Sequence, residues 1–267
     1  MHNLLTRTIS GFVYVLLFLF AIQFDAKSYI VLTSIFALIC IWEFSKLIQI
    51  KNIIPYLLLP ISVYFFTSTY INAKAILFLA IITILSSIRL IFHMYSKGVT
   101  YPRTLIEKLD VLIRYIILPF SFLISIPFVF GDYQPKIVIC ILIFIWVNDS
   151  FAYIVGKNFG KYKLFERVSP KKTIEGFVGG LVFSLIAAFF VTKLYDDSSI
   201  TLIDWVVIAS IVSVFGTLGD LIESKFKRQA NIKDSGNIMP GHGGLLDRLD
   251  SLFFAAPFVY LYLHYFI

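Results

Sequence analysis

The chain has 267 residues, 59% of them apolar and only 15% charged, with 28 Phe and a formal net charge of +7. A soluble domain is nearer half apolar and a quarter charged, so the composition excludes an ordinary soluble globular protein. Two cysteines and four scattered histidines exclude a disulfide framework and a zinc site.

A bilayer core takes roughly 20 apolar residues per helix. Runs of that kind recur at approximately 9–24, 28–48, 53–71, 74–95, 109–130, 136–157, 174–194, 201–223 and 250–267. They predict an all-α, polytopic integral membrane protein with about nine transmembrane helices and a polar active-site cavity facing the cytosol. The first run follows a single Arg and lacks a small-residue cleavage site, so it is expected to stay as a span. The second carries Glu43 in "CIWEFSK", expected either to line the lipid path or, the favoured reading, to pair with Lys46 one turn on. Cys40 and Cys140 lie inside apolar runs and are expected to be packing residues. Residues 1–130 are aliphatic and poor in motifs. Residues 131–267 hold nearly all the Gly and acidic signals and are expected to be the catalytic region of one membrane-embedded unit. With nine spans, most Lys and Arg fall on the side of the N-terminus, leaving only Lys27, Lys74, Lys136 and Lys193 on the other. The positive-inside rule then puts the N-terminus and the long polar loops in the cytoplasm, and Ile267 and the loop 196–200 on the opposite face.

Three polar segments fall on the cytoplasmic side: "NDSFAYIVGKNFGKYKLFERVSPKKTIEGFVGG" from Asn148, "GDLIESKFKR" from Gly219 and "KDSGNIMPGHGGLLDRLDS" from Lys233. Asp220 and Glu223 are three apart on a predicted helix and share a face, as do Asp247 and Asp250 at the entrance to the last span. Asp149 lies near the end of the sixth span. Carboxylates at membrane depth are costly and usually functional, and several of them with little nitrogen or sulfur nearby suit a hard cation. The alternative is that each acid neutralises a neighbouring Lys or Arg. Ser169-Pro170 reads as a helix start, with Lys171, Lys172 and Thr173 in the first turn, an arrangement that binds phosphate. For Lys225, Lys227 and Arg228, contact with anionic headgroups is the competing reading. Gly241, Gly243 and Gly244 surround His242 after Pro240, a tight turn whose N–H groups could cradle a phosphate. From the residues alone, the chain reads as a membrane enzyme acting on a phosphate-bearing lipid or nucleotide.

The segment from Ser224 to Ser251 resembles the signature of the phosphatidate cytidylyltransferase (CDP-diglyceride synthase) family. Ser224, Phe226, Lys227, Arg228, Lys233, Asp234, Gly236, Pro240, His242, Gly243, Gly244, Leu245, Asp247, Arg248 and Asp250 match it in register, with Met239 where Leu, Ile or Phe is usual. The upstream blocks "NDSFAYIVGKNFGK" and "SPKKTIEGFVGG" are similar to the family as well, whereas the first hundred or so residues match only in being hydrophobic. The resemblance implies a nucleotidyltransferase that joins CTP and phosphatidic acid, giving CDP-diacylglycerol and pyrophosphate in phospholipid biosynthesis. It implies Mg²⁺ or another divalent cation, held by Asp220, Asp247 and Asp250, with Asp149 and Glu223 as further candidates. Lys171, Lys172, Lys227, Arg228, Lys233 and Arg248 would contact phosphate, and His242 would position a substrate phosphate or act in proton transfer. Asn148, Asp149, Ser169, Thr173, Glu175, Ser224, Asp234, Gly243 and Gly244 complete the expected substrate-binding set. The implied partners are CTP, phosphatidic acid and membrane lipids, without nucleic acid. A homodimer is allowed, and the expected place is a bacterial inner membrane.

Two other readings compete. A CTP-dependent polyprenol or lipid kinase would transfer the γ-phosphoryl group to a hydroxyl. An anionic-metabolite transporter would show repeated halves and broken helices at the midplane, whereas here the polar motifs gather in one half and on one side.

Overall fold

The computed structural model describes residues 2–68, 73–97, 100–195 and 199–267, with side chains described from Thr8 onward. Residues 196–198 of the loop expected opposite the cytoplasm lie outside this set. Helices dominate: α1 (His2–Phe24), α2 (Ala26–Leu47), α3 (Ile54–Thr67), α4 (Ala73–Tyr95), α5 (Leu105–Val111), α6 (Leu118–Ser125), α7 (Pro135–Phe159), α8 (Ile174–Leu194), α9 (Leu202–Gln229) and α10 (Leu246–Tyr265). Among the described residues, six helical stretches are long and apolar enough to cross a membrane: α2, α4, Leu105–Phe128, α7, α8 and α9. Thr8–Phe24 and Ile54–Thr67 are shorter apolar helices. Large apolar side chains point outward, among them Phe12, Phe20, Phe92 and Phe190. A water-facing surface this apolar would be an aggregation hazard, and lipid removes the difficulty. The fold is that of a polytopic integral membrane protein.

Local chemistry explains the breaks. Asp25 accepts from Ser28 N–H at 2.6 Å and caps α2 one residue after α1 ends. Between α5 and α6 the backbone widens into a π-helical stretch, Leu112–Ile117. Pro119 has no N–H to offer the carbonyl of Tyr115, and Leu118 N–H bonds the carbonyl of Ile113, five residues back. The wide turn turns Tyr115 into an aromatic cluster with Phe44 of α2, Phe226 of α9 and Phe253 of α10. That cluster ties the N-terminal helices to the last two.

Glycines set the spacing of the C-terminal helices. A Cβ on Gly176 would lie 2.7 Å from the carbonyl oxygen of Ala152, and one on Gly180 would lie 2.7 Å from that of Asn148. Gly176 and Gly180 are four apart, so α8 lays a glycine face directly on the α7 backbone. Phe151 and Phe183 stack beside it with ring centroids 3.7 Å apart. On α9, a Cβ on Gly219 would lie 2.7 Å from the carbonyl oxygen of Asp250. This draws α9 and α10 together at the level of Asp220 and Asp250.

The expected helix start at Ser169-Pro170 is corrected. Ser169–Thr173 is strand β2, antiparallel to β1 (Lys163–Phe165), with Lys163 opposite Thr173 and Phe165 opposite Ser169. The helix begins at Ile174, and Thr173 is its cap, its Oγ1 accepting from Gly176 N–H at 3.1 Å. Pro170 suits a strand edge as well as a helix start, since both leave its missing N–H unneeded.

Overpacking a core typically costs about 1–3 kcal/mol. Gly176→Val and Gly180→Leu are each expected to lose at least that much. Thermal unfolding of the purified protein in detergent measures it, with the outward-facing Val182→Leu as the control that stays near the parent.

Candidate active site

The cytoplasm-predicted end of α9 carries Asp220, Glu223, Ser224 and Lys227, spaced so that they share one helical face. The close approach of α10 sets Asp250 against that face. One carboxylate oxygen from each of Asp220, Glu223 and Asp250 lies within 4.8 Å of the other two. Glu223 is wholly buried and Asp250 nearly so. Two lysines reach this group from different elements. Lys172 Nζ on β2 is 2.6 Å from Asp220 Oδ2, and Lys227 Nζ pairs with Glu223 and lies 2.6 Å from Asp247 Oδ1. Ser224 Oγ donates to Asp220 Oδ1 at 3.2 Å. Burial works to lower the pKa of Lys172, and the Asp220 carboxylate beside it outweighs that and holds it above the usual lysine range.

The acids outnumber the lysines that reach them, and Glu223 Oε1 has no hydrogen-bond partner among the described residues. Converging oxygens with spare acceptor capacity and no sulfur or imidazole in the group fit a hard divalent cation. Asp247 sits differently from the expectation that made it a ligand. Its Oδ1 accepts from Lys227, and its Oδ2 accepts from Ser235 N–H at 2.9 Å, Ser235 Oγ at 3.0 Å and Gly244 N–H at 2.8 Å. One oxygen thus serves α9 and the other the turn, and the close carboxylate group is made by Asp220 and Asp250 with Glu223, the further candidate.

Two cavities meet at this group. One, of about 360 Å³, has an apolar wall of Tyr14, Val15, Phe18 and Trp146 facing Arg248 and Asp250. The other, of about 570 Å³, is lined by Lys157, Lys163, Lys171 and Lys172. Asp149 and Asp220 line both. Asn148 Nδ2 donates to Asp149 Oδ1 at 3.3 Å.

In the turn after Pro240, part of the backbone N–H set is already engaged by acids of the chain. Gly241 and Gly243 have φ of +77° and +89°, a conformation that favours glycine. The N–H of Gly244 goes to Asp247, and those of Leu245 and Leu246 go to Glu43 at 3.1 and 2.8 Å. Internal carboxylates therefore occupy these donors. His242 lines the apolar-walled cavity. Ser10 Oγ of α1 lies 2.9 Å from both the Pro240 carbonyl and His242 Nδ1. Arg248 donates to the carbonyl of His242 at 2.8 Å.

Other expected residues lie further out. Arg228 turns to the carbonyls of Val168 and Ile232. Glu175 accepts from the N–H groups of Lys161 and Tyr162 beside the β-hairpin. Thr173 caps α8 and also lines the lysine-lined cavity, and Ser169 lies at the hairpin's far end from it. Lys233, Asp234 and Gly243 line a separate opening with His242 and Arg248. Glu43 is also corrected: it is buried and bonds the turn, while Lys46 is exposed with Nζ over the Trp42 ring at 3.3 Å. An acid inside an apolar run was its signal in the sequence. Ser235, which bridges to it, left none.

Removing one partner of a buried ion pair costs about 3–5 kcal/mol, because a charge is stranded. Lys227→Met leaves Glu223 and Asp247 without their shared cation and is expected to lose stability on that scale. Unfolding measured beside the exposed Lys171→Met, which should match the parent, checks it.

The chain matches the Cytidylyltransferase family over residues 5–266. It is 52% identical over 119 residues to a protein of Bacillus subtilis named phosphatidate cytidylyltransferase, a match covering 45% of this chain and 44% of that one. A protein of the same name from Staphylococcus saprophyticus is 52% identical over 113 residues, 42% of this chain and 43% of that one. One from Staphylococcus aureus is 49% identical over 115 residues, again 42% and 43%. Each match spans less than half the length of the curated relative. With the family's profile running along almost the whole chain, this protein belongs to the Cytidylyltransferase family.

Proposed function

We propose that this protein transfers the cytidylyl group of CTP to phosphatidic acid, giving CDP-diacylglycerol and pyrophosphate. The observation that carries the reading is the pair of cavities, one lysine-lined and one apolar-walled, that share Asp149 and Asp220 beside a buried carboxylate group. A nucleotide triphosphate and a lipid phosphate need those two environments, and the reaction needs them to meet. The relatives named phosphatidate cytidylyltransferase support the choice of substrates.

In this reading Lys157, Lys163, Lys171 and Lys172 bind the triphosphate of CTP in the larger cavity. Tyr14, Val15, Phe18 and Trp146 receive the glycerol and upper acyl region of the lipid. A phosphate oxygen of phosphatidic acid attacks the α-phosphorus of CTP, that bond forms as the bond to the β-phosphate oxygen breaks, and pyrophosphate leaves. The attacking oxygen is already ionised at neutral pH, so no general base is required. Asp220, Glu223 and Asp250 would hold Mg²⁺, which when bound neutralises charge on the phosphates. Lys172 balances Asp220 and faces the leaving group, and Arg248 steadies the lipid phosphate. Lys227 and Asp247 keep the two carboxylate-bearing helices in register.

CTP cannot cross a bilayer, so the site opens to the cytoplasm of a bacterial inner membrane, with nine spans and residues 131–267 as the catalytic region. The polyprenol-kinase and transporter readings have no support from the relatives.

Purified protein given phosphatidic acid, Mg²⁺ and CTP labelled at the α- or γ-phosphate tests the reaction. Label from the α position is expected in a cytidine-bearing lipid. Lipid labelled from the γ position, or no labelled lipid, would overturn the assignment. Asp220→Asn and Asp250→Asn are each expected to lower turnover about 100-fold, the scale of losing a major electrostatic stabiliser.

Orientation has its own check, in a parent lacking Cys40 and Cys140. A membrane-impermeant thiol reagent applied to intact cells is expected to label Asp132→Cys. Asn237→Cys should react only after the membrane is opened.

A further inference from the structure

Glu43 belongs to α2, some 200 residues before the turn it touches, and no part of the proposed chemistry uses it. Its side chain is wholly buried. The carboxylate accepts from Leu245 N–H at 3.1 Å, Leu246 N–H at 2.8 Å and Ser235 Oγ at 3.3 Å. Leu245 and Leu246 begin α10, where backbone N–H groups have no partner within the helix. A carboxylate placed there satisfies them and complements the helix dipole.

Two glycines of the polar segment are shaped around this group. A Cβ on Gly236 would lie 2.3 Å from Glu43 Oε1, and one on Gly244 would lie 2.6 Å from Oε2. Contacts that short do not occur, so neither position takes a side chain without moving the carboxylate. The absence of side chains at Gly236 and Gly244 thus makes room for an acid from the far half of the chain.

From Glu43 the contacts run on into the reacting centre. Ser235 Oγ lies within hydrogen-bond distance of both Glu43 Oε2 and Asp247 Oδ2. Asp247 binds Lys227, and Lys227 binds Glu223, a member of the carboxylate group. Asp250 stands one turn into the helix whose first N–H groups Glu43 holds. A charge buried in a membrane helix carries a heavy desolvation cost. Here the offset comes from two backbone N–H groups and one hydroxyl, all in the segment that carries Asp247 and Asp250.

We propose that Glu43 is a positioning residue for the reacting centre: the buried carboxylate through which the N-terminal helices fix the turn and, with it, the acids at the start of α10. The proposal rests on the function stated above for its kinetic readout and on geometry alone for its structural one. It assigns the motif-poor half of the chain a defined part in the reaction.

Hydrogen exchange and kinetics on full-length Glu43→Gln together test it. Glutamine keeps the size but offers one acceptor oxygen where the carboxylate offered two. Exchange is expected to rise at least tenfold at the amides of 235–247 and to stay unchanged in α7 and α8. The kcat for cytidine-lipid formation should fall at least tenfold while the KM for CTP stays within threefold, since the lysine-lined cavity does not touch Glu43. Lys46→Ala should match the parent in both measurements. If Glu43→Gln does not fold, Gly236→Ala, whose new methyl displaces the same carboxylate, is expected to give the same pair of effects. Turnover within twofold of the parent, or exchange that rises uniformly along the chain with a matching fall in Tm, would overturn the proposal. A parent that makes no cytidine lipid would defeat the assigned function instead, and the local exchange response would then decide the role of Glu43 by itself.

Discussion

Burying carboxylates among membrane helices is the constraint on which the rest of this structure depends. Asp220, Glu223 and Asp250 come together where desolvation penalises every charge. Lys172 arrives from a β-hairpin and Lys227 from the same helix as Glu223. Thr173, rather than Ser169, caps α8, so Lys172 lies on a strand, from which its Nζ reaches Asp220. α9 runs on to Gln229, past the length a bilayer requires, and so keeps Lys227 on the helical face that bears the acids.

Close helix approach follows from the same requirement. Asp220 and Glu223 share α9, so the approach of α10 is what brings the Asp250 carboxylate within 4.8 Å of theirs. Gly219 provides close approach between α9 and α10, and Gly176 and Gly180 provide it between α8 and α7, whose Asp149 lines both cavities. With lipid outside as apolar as the helix surfaces, close packing and polar contacts must hold the helices together. The stacked pairs Phe151–Phe183 and Phe215–Phe258 flank these approaches.

Much of this was legible in the residues. Hydropathy pointed to a helical membrane protein, and acids three apart on α9 were read as sharing a face, where Asp220 and Glu223 do lie close together. The match to a known family signature pointed to the family that the comparison along nearly the whole chain shows. What the sequence hid was tertiary. Nothing in "SPKK" tells a strand edge from a helix start, because Pro170 suits both. Asp247 and Asp250 look equivalent by spacing, yet Asp247 is consumed by Ser235 and Gly244 while Asp250 faces Glu223 across the helix contact. Glu43 had Lys46 as a ready local partner. Its actual partners are backbone N–H groups some 200 positions away, and no periodicity in the chain predicts a pairing of that kind. Of the three glycines around His242 that looked like a cradle for phosphate, Gly244 gives its N–H to Asp247, a contact no local pattern predicts.

The central claim is that the three acids form a divalent-cation site on which the proposed transfer depends, and metal binding without substrates tests it most directly. Mn²⁺ added to the purified protein and followed by electron paramagnetic resonance should show saturable binding in the parent and in Asp110→Asn, an acid paired with Arg114 at 2.7 Å away from the group. Binding should be weakened at least tenfold in Glu223→Gln and in Asp250→Asn. Equal binding in all four proteins, or no saturable binding in the parent, would contradict the account.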